Sequence, residues 1–158
     1  MPATENTKRE NEKKEKQLPY EYPDNFSFKE MIKTSQKLSN VPSAWMEICN
    51  IMETASKLQQ IRDAFGQPIK VNSGYRTLEV NKAVGGAKAS AHMRGLAADI
   101  TARKKSDNRR LLTVITELAD DLKFDQVIIY TTVTGTIQWI HIGWREENPR
   151  GMLEYQSV

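Results

Sequence analysis

The chain has one cysteine, Cys49, so no internal disulfide can form and a four-cysteine zinc site is excluded. It has two histidines, His92 and His141, and any chemistry that needs imidazole must use them. No apolar run approaches the roughly 18 residues that a membrane helix requires. Met1-Pro2-Ala3-Thr4-Glu5-Asn6 lacks the basic region and apolar stretch of a secretory signal. The expected product is cytoplasmic at synthesis and depends on another agent for release. Neither sign of charge dominates. With 23 Lys and Arg against 20 Asp and Glu, the net charge is +3, too mild a balance for a dedicated nucleic-acid binder.

What is present suits one folded domain. Of 158 residues, 39% are hydrophobic and 27% charged, enough to bury a core. Residues 1–17 differ: five Lys or Arg and four Glu stand among almost nothing apolar. Burial cannot offset the ordering entropy of such a segment. It reads as a solvated tail, with a docking arm for a virion or cell-wall partner as the alternative. The single domain is expected over 18–158, entered through the extended Leu18-Pro19-Tyr20-Glu21-Tyr22-Pro23.

Ser27 and Glu30 mark the start of a short helix over 28–38. Asn40-Val41-Pro42 breaks it. A longer helix follows, capped by Ser43 and closed by Gly66. Trp45, Ile48, Cys49, Met52, Ala55, Leu58, Ile61, Ala64 and Phe65 recur along it at three- and four-residue steps, which predicts its core face and makes Cys49 a buried small hydrophobe. A strand over 68–72, a turn at 73–76, a short helix from Thr77 and a loop over 87–95 come next. A strand over 96–101, a helix over 107–122 and a hairpin of 124–130 with 137–144 complete the chain. Helices early and a hairpin late indicate an α+β fold, a small antiparallel sheet packed against helices.

His92 in the loop, Asp99 in the next strand and His141 in the last strand are zinc-ligand types, and two imidazoles with one carboxylate leave a fourth position open. By spacing alone many proteins hold two histidines and an aspartate, and a lone histidine on a strand is more often simply hydrogen-bonded in place. Asp99 lies between Ala98 and Ile100, and a carboxylate in an apolar strand needs a partner, which a cation supplies. Arg76, at a turn, is placed to clamp a substrate carboxylate, to support an oxyanion or to form a surface salt bridge. Ser90 either bonds substrate or holds the loop. Arg103, Lys104, Lys105, Arg109 and Arg110 form a basic face without interleaved aromatics, which disfavours nucleic acid.

Ser90-Ala91-His92-Met93-Arg94-Gly95-Leu96-Ala97-Ala98-Asp99 resembles the S-x-H-x-x-G-x-A-x-D signature of zinc peptidases acting on D-alanyl-D-alanine. Ser73-Gly74-Tyr75-Arg76 resembles the S-G-Y-R turn of that family, and Asn81 to Ala87 its connection to the zinc loop. Phe124-Asp125-Gln126 and Trp139-Ile140-His141-Ile142 resemble its last two strands. The matches run in order over about 27–145, and four ordered segments are more specific than any one motif. The family comprises D-alanyl-D-alanine carboxypeptidases, dipeptidases and L-alanyl-D-glutamate endopeptidases, many of them phage endolysins. The resemblance implies Zn2+ held by His92, Asp99 and His141 at one end of the sheet. It implies Arg76 and Ser90 as substrate-binding residues and hydrolysis of a peptidoglycan stem peptide beside a D-residue.

The family's general base is a Glu three residues before the last zinc histidine, or on the neighbouring strand. Those positions are Gln138 and Tyr130 here. An amide accepts no catalytic proton at neutral pH, and an unperturbed phenol is a weak base. Tyr130 remains a candidate to stabilise an oxyanion. The alternative function is a catalytically impaired, zinc-binding member of the fold that serves as a virion or cell-wall-binding component. A third reading is a basic adaptor for nucleic acid.

Overall fold

The computed structural model describes residues 23–158; the charged segment 1–17 and most of the expected lead-in to the domain lie outside them. The helices are α1 (Phe28–Met31), α2 (Trp45–Phe65), α3 (Leu78–Ala83), α4 (Asn108–Glu117) and α5 (Ala119–Leu122). The strands are β1 (Ile69–Ser73), β2 (Ala97–Ala102), β3 (Gln126–Thr131), β4 (Ile137–Gly143) and β5 (Met152–Ser157). Two 3-10 turns, Ala91–Arg94 and Lys105–Asp107, flank β2.

The strands form one sheet in the order β1-β2-β4-β3-β5. All neighbours are antiparallel except β3 and β5. Strand alternation divides its faces. Val71, Ile100, Val127, Ile129, Ile140 and Ile142 are buried on one face, in a single core with Leu58, Ile61, Leu111 and Ile115 of α2 and α4. Each such side chain contributes about 1.5–3 kcal/mol by leaving water. Residues at alternate positions face the other way. One register row there, Ser73–Asp99–His141–Ile128–Glu154, crosses all five strands.

The α+β architecture is as expected, and the structure corrects several details. The first helix stops at Met31 rather than Leu38. The Met31 carbonyl accepts from the Tyr75 N–H, and the Ile32 carbonyl accepts from Asn40 Nδ2, so tertiary partners take the acceptors that a longer helix would use. Ala44, not Ser43, is the cap of α2, and the Glu47 carboxylate accepts both of their N–H groups.

The core face of α2 is offset from the expected stripe: Ile51 and Thr54 are buried, whereas Trp45 is 68% exposed and Cys49 is only partly buried. The helix expected over 107–122 breaks at Leu118 into α4 and α5. Finally, β5 was not expected; it adds the sheet's one parallel pair.

Candidate metal centre

His92 is positioned by its loop. Ser90 Oγ caps the 3-10 turn by accepting the His92 N–H. Gly95 closes the turn at φ 75°, and a Cβ there would sit 2.8 Å from Ile51 Cγ1 and 2.9 Å from the Glu47 carbonyl oxygen. Only glycine combines that backbone with that approach. Two buried side chains of α2 hold the turn from below: Asn50 Nδ2 donates to the Arg94 carbonyl and Thr54 Oγ1 to the Gly95 carbonyl. Asp99 and His141 need no loop, because β2 and β4 pair them directly.

The three side chains converge. His92 Nε2 lies 3.2 Å from His141 Nδ1 and 3.3 Å from Asp99 Oδ1, and His141 Nδ1 lies 2.9 Å from the same oxygen. A tetrahedral ion with bonds of about 2.0–2.1 Å has ligand edges of about 3.3 Å, so the trio fits zinc. Tautomer chemistry supports the same conclusion. His92 Nδ1 is 2.6 Å from the Gly74 carbonyl oxygen, which can only accept, so Nδ1 carries a proton there and Nε2 is the nitrogen left to face Asp99 and His141. Burial pushes the Asp99 carboxyl up, but hydrogen bonds from His141 and His92 and their charges outweigh it and hold Asp99 well below the usual carboxylate range.

Arg76 faces the remaining oxygen of Asp99. Its Nη2 donates to Asp99 Oδ2 at 2.9 Å, and its Nε donates to Ser73 Oγ. Asn81 stands beside it and bonds the Ala87 carbonyl, tying α3 to the zinc loop.

The trio opens into a groove of about 440 Å³, with Gly85 to His92 on one side and Gln126, Ile128, Tyr130 and Trp139 on the other. Ser90 lines it with its oxygen turned to the loop backbone. Tyr130 lines it stacked on Trp139, ring centroids 4.4 Å apart. Burial and the charges of Asp99 and Glu154 raise its phenol above the ordinary value, so it stays a protonated donor at neutral pH. Gln138 is not on the groove; its side-chain oxygen accepts from Lys105 Nζ. The second carboxylate on the groove, Asp125, is taken by Arg150, whose hydrogen bonds hold it below the usual range.

Asn50 and Thr54 support the site without belonging to any motif, and Asn81 does so from the segment that resembles the family's connection to the loop. Their signal was present: Asn50 and Thr54 are polar residues four apart on the inward face of a long helix.

Fold and trio together define an α+β protein with a candidate metal centre on its sheet. The chain belongs to the peptidase M15 family, whose model matches residues 24–143. It is also 42% identical over 82 residues to a zinc D-Ala-D-Ala carboxypeptidase of Streptomyces albus G. That match covers 51% of this chain and 32% of the Streptomyces protein, so the chain spans about a third of that relative's length.

Proposed function

We propose that this protein is a zinc metallopeptidase that hydrolyses peptidoglycan stem peptides at a bond involving a D-amino acid, in the manner of an endolysin. The convergence of His92 Nε2, Asp99 Oδ1 and His141 Nδ1 at the floor of a groove carries this reading. Zinc held there by His92, Asp99 and His141 would supply a Lewis acid and lower the pKa of a bound water. The chain's own residues do the rest. Gly74 fixes the His92 tautomer. Arg76 holds Asp99 Oδ2 so that Oδ1 faces the metal position. The Tyr130 hydroxyl, a protonated donor on the groove wall, is placed to stabilise negative charge developing on the substrate carbonyl oxygen.

One observation favours the second reading, a catalytically impaired zinc-binding member of the fold. Among the described residues the carboxylates lining the groove are Asp99 and Asp125, and both are committed, one to the trio and one to Arg150. Incubating the zinc-loaded protein with purified peptidoglycan decides between them. The enzyme releases D-alanine or generates new amino groups. Stoichiometric zinc without product at high protein concentration establishes the impaired form.

A further inference from the structure

The groove continues past the trio to a cationic end that the peptide chemistry above does not use. Arg145 and Arg150, from the segment joining β4 to β5, line it there, and Arg94 lines the loop side. Arg145 and Arg150 share one counter-charge: Arg145 Nε lies 3.4 Å from Asp125 Oδ1, and Arg150 donates to both Asp125 oxygens at 2.9 and 2.7 Å. The groove lining as a whole carries four arginines, Arg76, Arg94, Arg145 and Arg150, against two carboxylates, Asp99 and Asp125. Glu154, which acts on Arg150 from outside the groove and accepts from Gln126 Nε2 at 3.1 Å, and the exposed Glu146 and Glu147 of the same segment do not line it. Arg94 is exposed and pairs with no carboxylate among the described residues.

This end is built rather than loose. The Arg150 N–H donates to Asp125 Oδ1, and the Gly151 and Met152 N–H groups donate to the Phe124 and Asp125 carbonyls. Buried Trp144 adds an apolar wall. Arg145 and Arg150 also lie beyond residue 143, where the family match ends.

Resting on the peptidase reading, we infer that Arg94, Arg145 and Arg150 form a second subsite that binds a substrate carboxylate remote from the scissile bond. Guanidinium is suited to this because its planar fork matches a carboxylate. The substrate class is therefore a stem peptide with an additional free carboxylate along its length, bound across the groove, rather than a short neutral dipeptide.

The test uses two synthetic stem peptides that differ in one group: the α-carboxyl of the D-glutamyl residue is free in one and amidated in the other. Binding to the zinc-loaded full chain is measured by titration calorimetry, which reads affinity whether or not the chain hydrolyses them. The free acid is expected to bind about five- to tenfold more tightly, the range of a charge-assisted pair at a partly exposed site. Combined Arg94→Ala and Arg145→Ala is expected to bring the acid-to-amide ratio to unity. Arg109→Ala, which removes a positive charge from the α4 surface, keeps the ratio. Equal binding of both peptides by the parent chain would overturn the subsite while leaving the peptidase reading intact. Binding of neither peptide would overturn both. A ratio that persists in the double variant would place the carboxylate elsewhere and overturn the assignment.

Discussion

His92 and Gly74 are joined by a 2.6 Å hydrogen bond from Nδ1 to the carbonyl oxygen, which links the S-G-Y-R turn to the metal loop. The turn acts on the imidazole through its backbone, and the backbone must be in place for the tautomer to be right. Glycine is required there for a steric reason: a Cβ at Gly74 would lie 2.2 Å from the Met31 carbonyl oxygen, a backbone atom that cannot move cheaply. Gly74→Ala is therefore expected to destabilise the protein by about 2–3 kcal/mol and to weaken zinc binding about 10- to 100-fold. Chemical denaturation and zinc titration against a competing chelator measure the two effects separately. Unchanged zinc affinity in a folded variant would remove Gly74 from the site.

Metal and fold should be thermodynamically linked. Zinc held by the converged trio would have no preformed site in the unfolded chain, so zinc at about 100 times its Kd should add about 2.7 kcal/mol of stability. A chelator-stripped sample should melt several degrees lower and recover on adding zinc. His141→Ala should abolish the zinc-dependent part of the melting temperature. A parent protein whose melting ignores zinc would rule out the trio as a metal site.

The Tyr75 phenol supplies a pH test remote from the trio. It is 4% exposed and donates to Glu47, whose carboxylate also caps α2. Burial first, and the Glu47 acceptor second, push its pKa up to about 12. The folded state thus keeps a proton that the unfolded state loses near pH 10. Stability is fully present below pH 10 and falls as pH rises toward about 12, by roughly 2–3 kcal/mol across that window. Tyr75→Phe should be less stable at neutral pH and should lose this alkaline slope. Denaturant melts at pH 8, 10 and 11.5 measure both; a slope unchanged in the variant would assign it to other groups.

Much of the site was legible because its markers are local. The ligands stand in a ten-residue motif and a strand, and alternation around Ala98-Asp99-Ile100 and Ile140-His141-Ile142 already sets the carboxylate and imidazole opposite the core face. What escaped depends on distant partners. The end of α1 is set by Tyr75 and Asn40, more than forty and eight residues away from the carbonyls they engage. The offset of the α2 stripe comes from Asn50 and Thr54 turning inward to hold the metal loop, polar residues that a count of apolar positions passes over. Strand β5 lies at the sheet edge with Met152, Leu153 and Tyr155 all exposed, so no buried face imprinted alternation on it. Its consequence for the site, the placement of Glu154 in the row of Asp99 and His141, could be read only from the register.

Two positions were open for the family's base, and the structure separates them. Gln138 is turned away to Lys105, whereas Tyr130 lines the groove two residues along β3 from Ile128, the register partner of His141. If absence of a base limits the rate, a carboxylate at 130 should restore it and one at 138 should not. Tyr130→Glu is expected to raise stem-peptide hydrolysis about 10²-fold or more, the usual contribution of a positioned general base, and to give an acidic limb in the pH–rate profile. Gln138→Glu should leave the rate within a few-fold of the parent while gaining a salt bridge to Lys105. Tyr130→Phe separates the hydroxyl from the ring: it keeps the stack on Trp139 and removes the donor, so any parental activity should fall about 10- to 100-fold with little change in KM. A Gln138→Glu protein more active than Tyr130→Glu would reverse the assignment, because it would require the 138 side chain to leave Lys105 and cross to the groove face of β4.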